Sequence, residues 1–201
     1  ICDFKYYLYI RKEFDGKIRS PAMASQQSLT DEYVDSVGQR LAQQGYEQYE
    51  GGPPNYDTTV FHLRELSLSK FGFVDYFVVV ASFESPTPQQ TTAFCEAAFS
   101  FGLSNKSLLP RGLGGNLVVY PIIVGEDLPE QIHEWVGEYR TKHWSSFEVP
   151  VVVDLGTDDC VYNRSKPTWG YIYYDEFNSF VDECLAPEVD GGRANQTADY
   201  E

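Results

Sequence analysis

The chain has 201 residues, 42% of them hydrophobic and 15% aromatic, and its formal net charge at pH 7 is −15. This length and apolar content exclude a disordered chain and allow one domain with a sizeable core. The excess of acidic groups disfavours nonspecific binding to nucleic acid or to an anionic membrane.

The charge is unevenly distributed along the chain. Residues 1–22 carry five basic and three acidic groups, and an ordinary-looking protein start follows at Met23. We therefore predict a non-native or disordered extension at 1–22, a single globular domain at 23–186 and a disordered acidic tail at 187–201. The alternative for 1–22 is an amphipathic anchoring segment, because residues 6–10 are apolar, although that run is too short to span a bilayer.

The composition also indicates a habitat. From Met23 onward the sequence has only four Lys among abundant Asp and Glu. Such surfaces suit proteins that stay dissolved in concentrated salt, so we predict a soluble protein of a salt-adapted cell; the alternative is an acidic mesophilic protein. The four Cys are widely spaced and form no C-x-x-C pair, which favours a reduced, cytoplasmic chain. Cys95, in an apolar helical stretch, is predicted to lie in the core.

The first half of the chain contains helix and hairpin signals. The predicted elements are, in order, a helix from 28 to 45, a loop at 47–57, a β-hairpin of strands 58–68 and 73–83, and a helix beginning at Pro88 with Thr87 as its cap.

The predicted fold is organised around a strand–helix–strand unit at 116–155. Its two strands, 117–124 and 149–155, are almost wholly apolar, as expected for parallel strands covered on both faces. Between them, apolar residues of 130–139 recur at helical spacing.

The last predicted elements are a short strand at 160–162, a strand or strand entry at 169–174 and a closing helix at 175–185. The element order predicts an α/β fold, with mixed α+β as the alternative. Its central mixed sheet has about five strands and helices on its faces.

Acidic residues follow both strands of the central unit. If the strands are parallel neighbours, Glu126, Asp154 and Asp158 meet at one edge of the sheet, where open α/β sheets bind ligands. Oxygen ligands of this kind suit Mg²⁺. The pattern loosely resembles the metal site of Toprim-type nucleases and topoisomerases, but Asp154 and Asp158 lie four apart where that family has D-x-D. The alternative is a solvated acidic edge.

A second candidate site is basic and aromatic. Six of the ten Lys and Arg after position 22 fall within 106–166. With the aromatic residues among them, they predict a site for phosphate or for an unstacked base. The alternative is a structural role at a helix C-terminus. The predicted binding residues are Arg111, Lys142, His143, Trp144 and Trp169.

Five short segments carry a family resemblance: 109–114 (LPRGLG), 118–121 (VVYP), 142–144 (KHW), 150–154 (PVVVD) and 167–170 (PTWG). Together they resemble a family of uncharacterised proteins from halophilic archaea, over about residues 63–177. The resemblance implies the saline habitat and no particular activity.

The sequence therefore predicts a binding or regulatory module without a cofactor, with a protein partner or a second copy of the chain as possible partners. The alternative is a Mg²⁺-dependent phosphoryl-transfer enzyme or nuclease that uses the three carboxylates. No G-x-S-x-G elbow marks a nucleophile, and the sequence leaves open whether the chain is an enzyme.

Overall fold

A mixed β-sheet with helices on both faces forms the fold. The computed structural model describes residues 21–67, 72–107, 115–140, 146–165 and 171–187. The helices are α1 (Pro21–Gln43), α2 (Pro88–Asn105), α3 (Glu130–Glu138) and α4 (Tyr171–Phe180), which continues as a π-helical turn, Val181–Leu185. The strands are β1 (Glu47–Tyr49), β2 (Thr58–Ser67), β3 (Gly72–Ser82), β4 (Gly115–Gly125), β5 (Ser146–Glu148), β6 (Val151–Asp154) and β7 (Asp159–Tyr162).

The strand order in the described sheet is β1-β2-β3-β4-β6-β7, with β5 paired to β4 beside β6. Strand β4 is parallel to β3, β5 and β6, whereas the pairs at either end of the sheet are antiparallel. The α/β fold is confirmed, and so are the predicted hairpin and the parallel strands of the central unit.

Alternation along the strands divides the core into two layers. On β3, Val74, Tyr76 and Val78 pack with α1, α4 and the π-helical turn, whereas Phe77 and Val79 pack with α2 and α3. Because successive strand residues point to opposite faces, both faces of the central strands are apolar and covered.

Helix α2 begins and packs as the sequence indicates. The side chain of Thr87 accepts a hydrogen bond from the Gln90 amide, and the Gln90 side chain accepts one from the Thr87 amide, so the two residues form a capping box. Pro88 takes the first helical position, and Cys95 is buried as predicted.

The sheet has seven strands where about five were expected. The additional strands, β1 and β5, are three residues long and lie in stretches without a clear alternating pattern. Pro150 separates β5 from β6, because it has no N–H to continue a ladder. Helix α1 also extends seven residues N-terminal to the predicted start, to Pro21, and so includes the end of the predicted extension.

The predicted strand at 169–174 is wrong from position 171 onward, because Tyr171–Phe180 is helical. The aromatic and β-branched residues there favour a strand by local propensity alone. Phe177 and Val181 are buried under the sheet at helical spacing, and this packing determines the structure instead. Of the predicted tail at 187–201, all but Pro187 lies outside the described residues, as do residues 1–20 of the extension.

Candidate functional site

The carboxyl end of β6 is where the sequence places a metal site. Asp154 lies there beside Gly125, the last residue of β4, and its side chain is buried. Its Oδ1 accepts hydrogen bonds from the amides of Asp127 (3.0 Å) and Gly156 (2.9 Å), and its Oδ2 accepts one from Leu128 (2.7 Å). The carboxylate thus ties the loop after β4 to the turn after β6.

The other residues of this edge do not complete a metal centre in the described part of the chain. Glu126 is half-buried, and Asp158 is exposed in the β6–β7 turn with a φ of 58°. The Nε2 of His133 is 3.8 Å from Asp154 Oδ2, too long for a hydrogen bond. No group of three or more His, Cys, Asp or Glu among the described residues is placed to hold a metal ion. The Mg²⁺ site remains a prediction.

The predicted basic and aromatic site lies outside the described residues. Arg111, Lys142, His143, Trp144 and Trp169 all fall in the gaps, so this site also stays a prediction. Arg164, which belongs to the same basic stretch, is described: it lies over the ring of Tyr162, 4.5 Å from its centroid, and pairs with Asp182 at 2.8 Å.

A buried carboxylate on β3 is a feature that the sequence analysis missed. The side chain of Asp75 has no exposed surface. Its Oδ1 accepts hydrogen bonds from Arg64 Nε (2.8 Å) and from His62 Nε2 (3.0 Å), both on β2, and its Oδ2 accepts one from the Ser107 amide (2.8 Å) after α2. The carboxylate therefore joins β2, β3 and the end of α2.

These hydrogen bonds determine the charge of Asp75. Burial alone would raise its pKa, but the hydrogen bonds from His62, Ser107 and Arg64 together lower the pKa to about 2. The ring of His62 also stacks on Phe77 with centroids 4.5 Å apart. All partners of the carboxylate thus belong to the fold, which indicates a structural anchor. The sequence signal that could have indicated this anchor is an Asp within the apolar run of β3.

A cleft lies on the opposite face of the sheet. It has a volume of about 300 Å³ and lies between the sheet and the segment that runs from α4 into the π-helical turn. The described lining residues are Gln44, Tyr46, Leu63, Glu65, Tyr76, Tyr120, Glu176, Ser179, Phe180, Glu183 and Cys184.

Aromatic rings in mutual contact form the walls of this cleft. The ring of Phe180 stacks on Tyr46 with centroids 5.6 Å apart and approaches Tyr120 at 4.8 Å. Tyr46 in turn meets Tyr76 edge-on at 6.4 Å. The three tyrosines are buried and Phe180 is half-buried. Packing of this kind fixes the rotamers and leaves the walls preformed.

The polar side of the cleft is acidic. Burial, followed by the carboxylates of Glu176 and Glu65, raises the pKa of the Tyr76 hydroxyl. Glu65 is on β2 and Glu176 on α4, so two elements bring negative charge to one phenol. No Lys, Arg or His is among the described residues that line the cleft.

Sequence reasoning missed the cleft because its residues come from five elements that are distant along the chain. From the sequence alone, its tyrosines are expected to be ordinary core residues of apolar strands, and Glu176 is expected to lie on the surface of a helix. The β2–β3 register, in which Leu63 is opposite Tyr76, and the packing of the predicted closing helix against this face of the sheet bring them together.

Comparisons with known proteins identify no relative: no family model matches the sequence, and no curated protein or solved structure is significantly similar to it. Within the described residues, no helix combines the length and hydrophobicity needed to cross a membrane.

Proposed function

We propose that this chain is a binding module of a salt-adapted cell's cytoplasm that holds a small ligand in the aromatic cleft. The cleft of about 300 Å³ is the observation that carries the proposal. Its volume lies at the lower end of the range for small-molecule sites, and its lining is a mixture of aromatic and polar side chains. The habitat rests on the acidic, Lys-poor composition, and the compartment rests on the four widely spaced Cys.

Binding is favoured over covalent catalysis by the chemistry of the lining. Burial, together with the neighbouring Glu183 carboxylate, raises the pKa of the Cys184 thiol. A thiol with a raised pKa is a poor nucleophile, because the thiolate is the reactive form. Among the described lining residues there is also no His or Lys to act as a general base near neutral pH.

Filling the cleft tests this proposal. Ser179 is exposed on α4 and lines the cleft, so Ser179→Trp would occupy part of its volume. Ser100 is exposed on α2, on the other face of the sheet, and Ser100→Trp is the matched control. A fragment set is added to ¹⁵N-labelled protein at ~1 mM per compound, a concentration that detects weak binding.

We expect at least one fragment to shift the amide resonances of Leu63, Glu65 and Ser179 in the wild-type protein. The shifts of Leu63 and Glu65 should persist in Ser100→Trp and disappear in Ser179→Trp. Fragment shifts confined to other regions, or equal shifts in both variants, would overturn the assignment of the cleft as the binding site.

A further inference from the structure

The walls of the cleft favour a particular class of ligand. Aromatic rings carry negative charge on their faces, and they attract cations that are diffuse and weakly hydrated. Phe180, the most exposed ring of the wall, contacts both Tyr46 and Tyr120 and is thereby held in place. A ligand at this wall would meet the half-buried ring of Phe180, because Tyr46, Tyr76 and Tyr120 are buried.

The carboxylates determine the sign of charge that the cleft accepts. Glu65, Glu176 and Glu183 line it from three different elements, and all three are exposed. With no basic residue among the described lining and a net charge of −15 on the chain, an anion would be repelled. A cation would be attracted from solution and stabilised once it is bound.

A compact metal ion fits this chemistry less well than an organic cation does. The carboxylates and Cys184 lie along the same cleft, yet no three His, Cys, Asp or Glu of the described residues converge closely enough to ligate a metal. A metal ion needs such a set of ligands at short distances. A quaternary ammonium group needs only aromatic faces and negative charge nearby.

We infer that the ligand of the cleft is a small organic cation with an alkylated ammonium group. This inference rests on the proposed binding function and specifies its ligand class. The ammonium methyl groups pack against Phe180 and Leu63, and the carboxylates of Glu65 and Glu176 provide the opposing charge. The acidic rim also selects against neutral compounds of the same shape.

Choline and 3,3-dimethylbutan-1-ol test the inference directly, because they have the same shape and differ in the central atom, a charged nitrogen or a neutral carbon. Both are titrated into the full-length protein at constant ionic strength, and the dissociation constants are measured from amide shifts. We expect choline to bind at least about tenfold more tightly, consistent with a desolvated cation–π contact and nearby carboxylates.

The variant Glu65→Gln/Glu176→Gln should weaken choline binding by about fivefold or more and leave the alcohol unaffected. Glu96→Gln, an exposed position on α2, is the control and should change neither. If the double variant does not fold, the ammonium inference is tested by the relative affinities of choline and 3,3-dimethylbutan-1-ol for the wild-type protein.

Equal binding of the two probes, or tighter binding of the alcohol, would overturn the ammonium inference and leave the binding function in place. Failure of choline alone, with neutral fragments still bound in the cleft, would do the same. Failure of every compound in both experiments would overturn the binding function as well.

Discussion

Two buried aspartates hold the loops and edges of this fold, and they do so in the same way. Asp75 and Asp154 each accept three hydrogen bonds, and all but the one from Gly156 to Asp154 come from groups at least eleven positions away in sequence. A buried carboxylate is costly unless its oxygens are satisfied, and in both cases the protein itself supplies the donors.

Replacing Asp75 tests its role as an anchor. Asp75→Asn removes the charge that pairs with Arg64 and His62. Their N–H groups then lose the carboxylate that accepts their hydrogen bonds inside the sheet. We expect a loss of about 3 kcal/mol in the free energy of unfolding, measured with urea at pH 7. Asp159→Asn, on the exposed start of β7, is the control and should cost less than about 0.5 kcal/mol. Equal losses would contradict the anchor.

The stability of the wild-type protein should also depend on the titration of Asp75. Its pKa in the folded state, about 2, lies below the ordinary value of 3.8. The carboxylate therefore contributes about 2 kcal/mol above roughly pH 4, and this contribution is lost as the pH falls toward 2. In urea titrations, the difference between wild type and Asp75→Asn should shrink over that interval. A difference that stays constant down to the lowest measurable pH would contradict the lowered pKa.

Asp154 permits a test that separates structure from metal binding. Because its oxygens already bind three backbone amides, Asp154→Asn should lower the free energy of unfolding by about 2 kcal/mol in the presence of EDTA. The magnesium hypothesis requires in addition that Mg²⁺ stabilise the wild type and not the variant. Equal thermal midpoints of the wild-type protein with and without Mg²⁺ would leave Asp154 with its structural role.

At the scale of elements, a close approach of α2 to the sheet sets the packing of one face. A Cβ at Gly102 would lie 2.9 Å from Val119 Cγ2 and 3.3 Å from Leu117 Cδ1, whereas nothing lies within 4 Å of one at Gly137 on α3. Both glycines are helical, so they form a matched pair.

Alanine at these two positions should therefore have opposite effects. Gly102→Ala should destabilise the protein by about 1–3 kcal/mol, because the added methyl forces the helix away from the strands. Gly137→Ala should stabilise it by up to about 1 kcal/mol through helix propensity. Urea denaturation measures both. A stabilising Gly102→Ala would show that the helix has room to move.

The elements also show how far the sequence determines this structure. Helix α2 could be predicted to its first residue because capping and Pro preferences are local. Residues 171–174 could not be predicted to be helical, because their aromatic side chains favour a strand. The segment is helical because Phe177 and Val181 pack under the sheet. The part of the cleft on 175–185 lies in the predicted closing helix, and the cleft was missed because it also needs strands from elsewhere in the chain. The carboxyl-edge location of Asp154, in contrast, followed from strand order alone.

At the scale of the whole molecule, the net charge of −15 should make stability depend on salt. Raising KCl from ~0.1 M to ~1 M shortens the Debye length from about 10 Å to about 3 Å and screens repulsion among surface carboxylates. We expect the thermal midpoint to rise over this interval, followed by circular dichroism. A flat or falling midpoint would contradict the predicted adaptation to salt and favour an ordinary acidic protein.

The two faces of the sheet differ in what they leave open. The α2–α3 face is packed with apolar side chains, whereas the face under α1 and α4 carries the cleft with its aromatic wall and acidic rim. The most direct test of that assignment is to record intermolecular nuclear Overhauser effects from the methyl protons of choline. We expect contacts with the ring protons of Phe180 and the methyl groups of Leu63. Contacts with Phe101 and Leu103 on the other face instead, or saturable binding without contacts to the cleft, would contradict it.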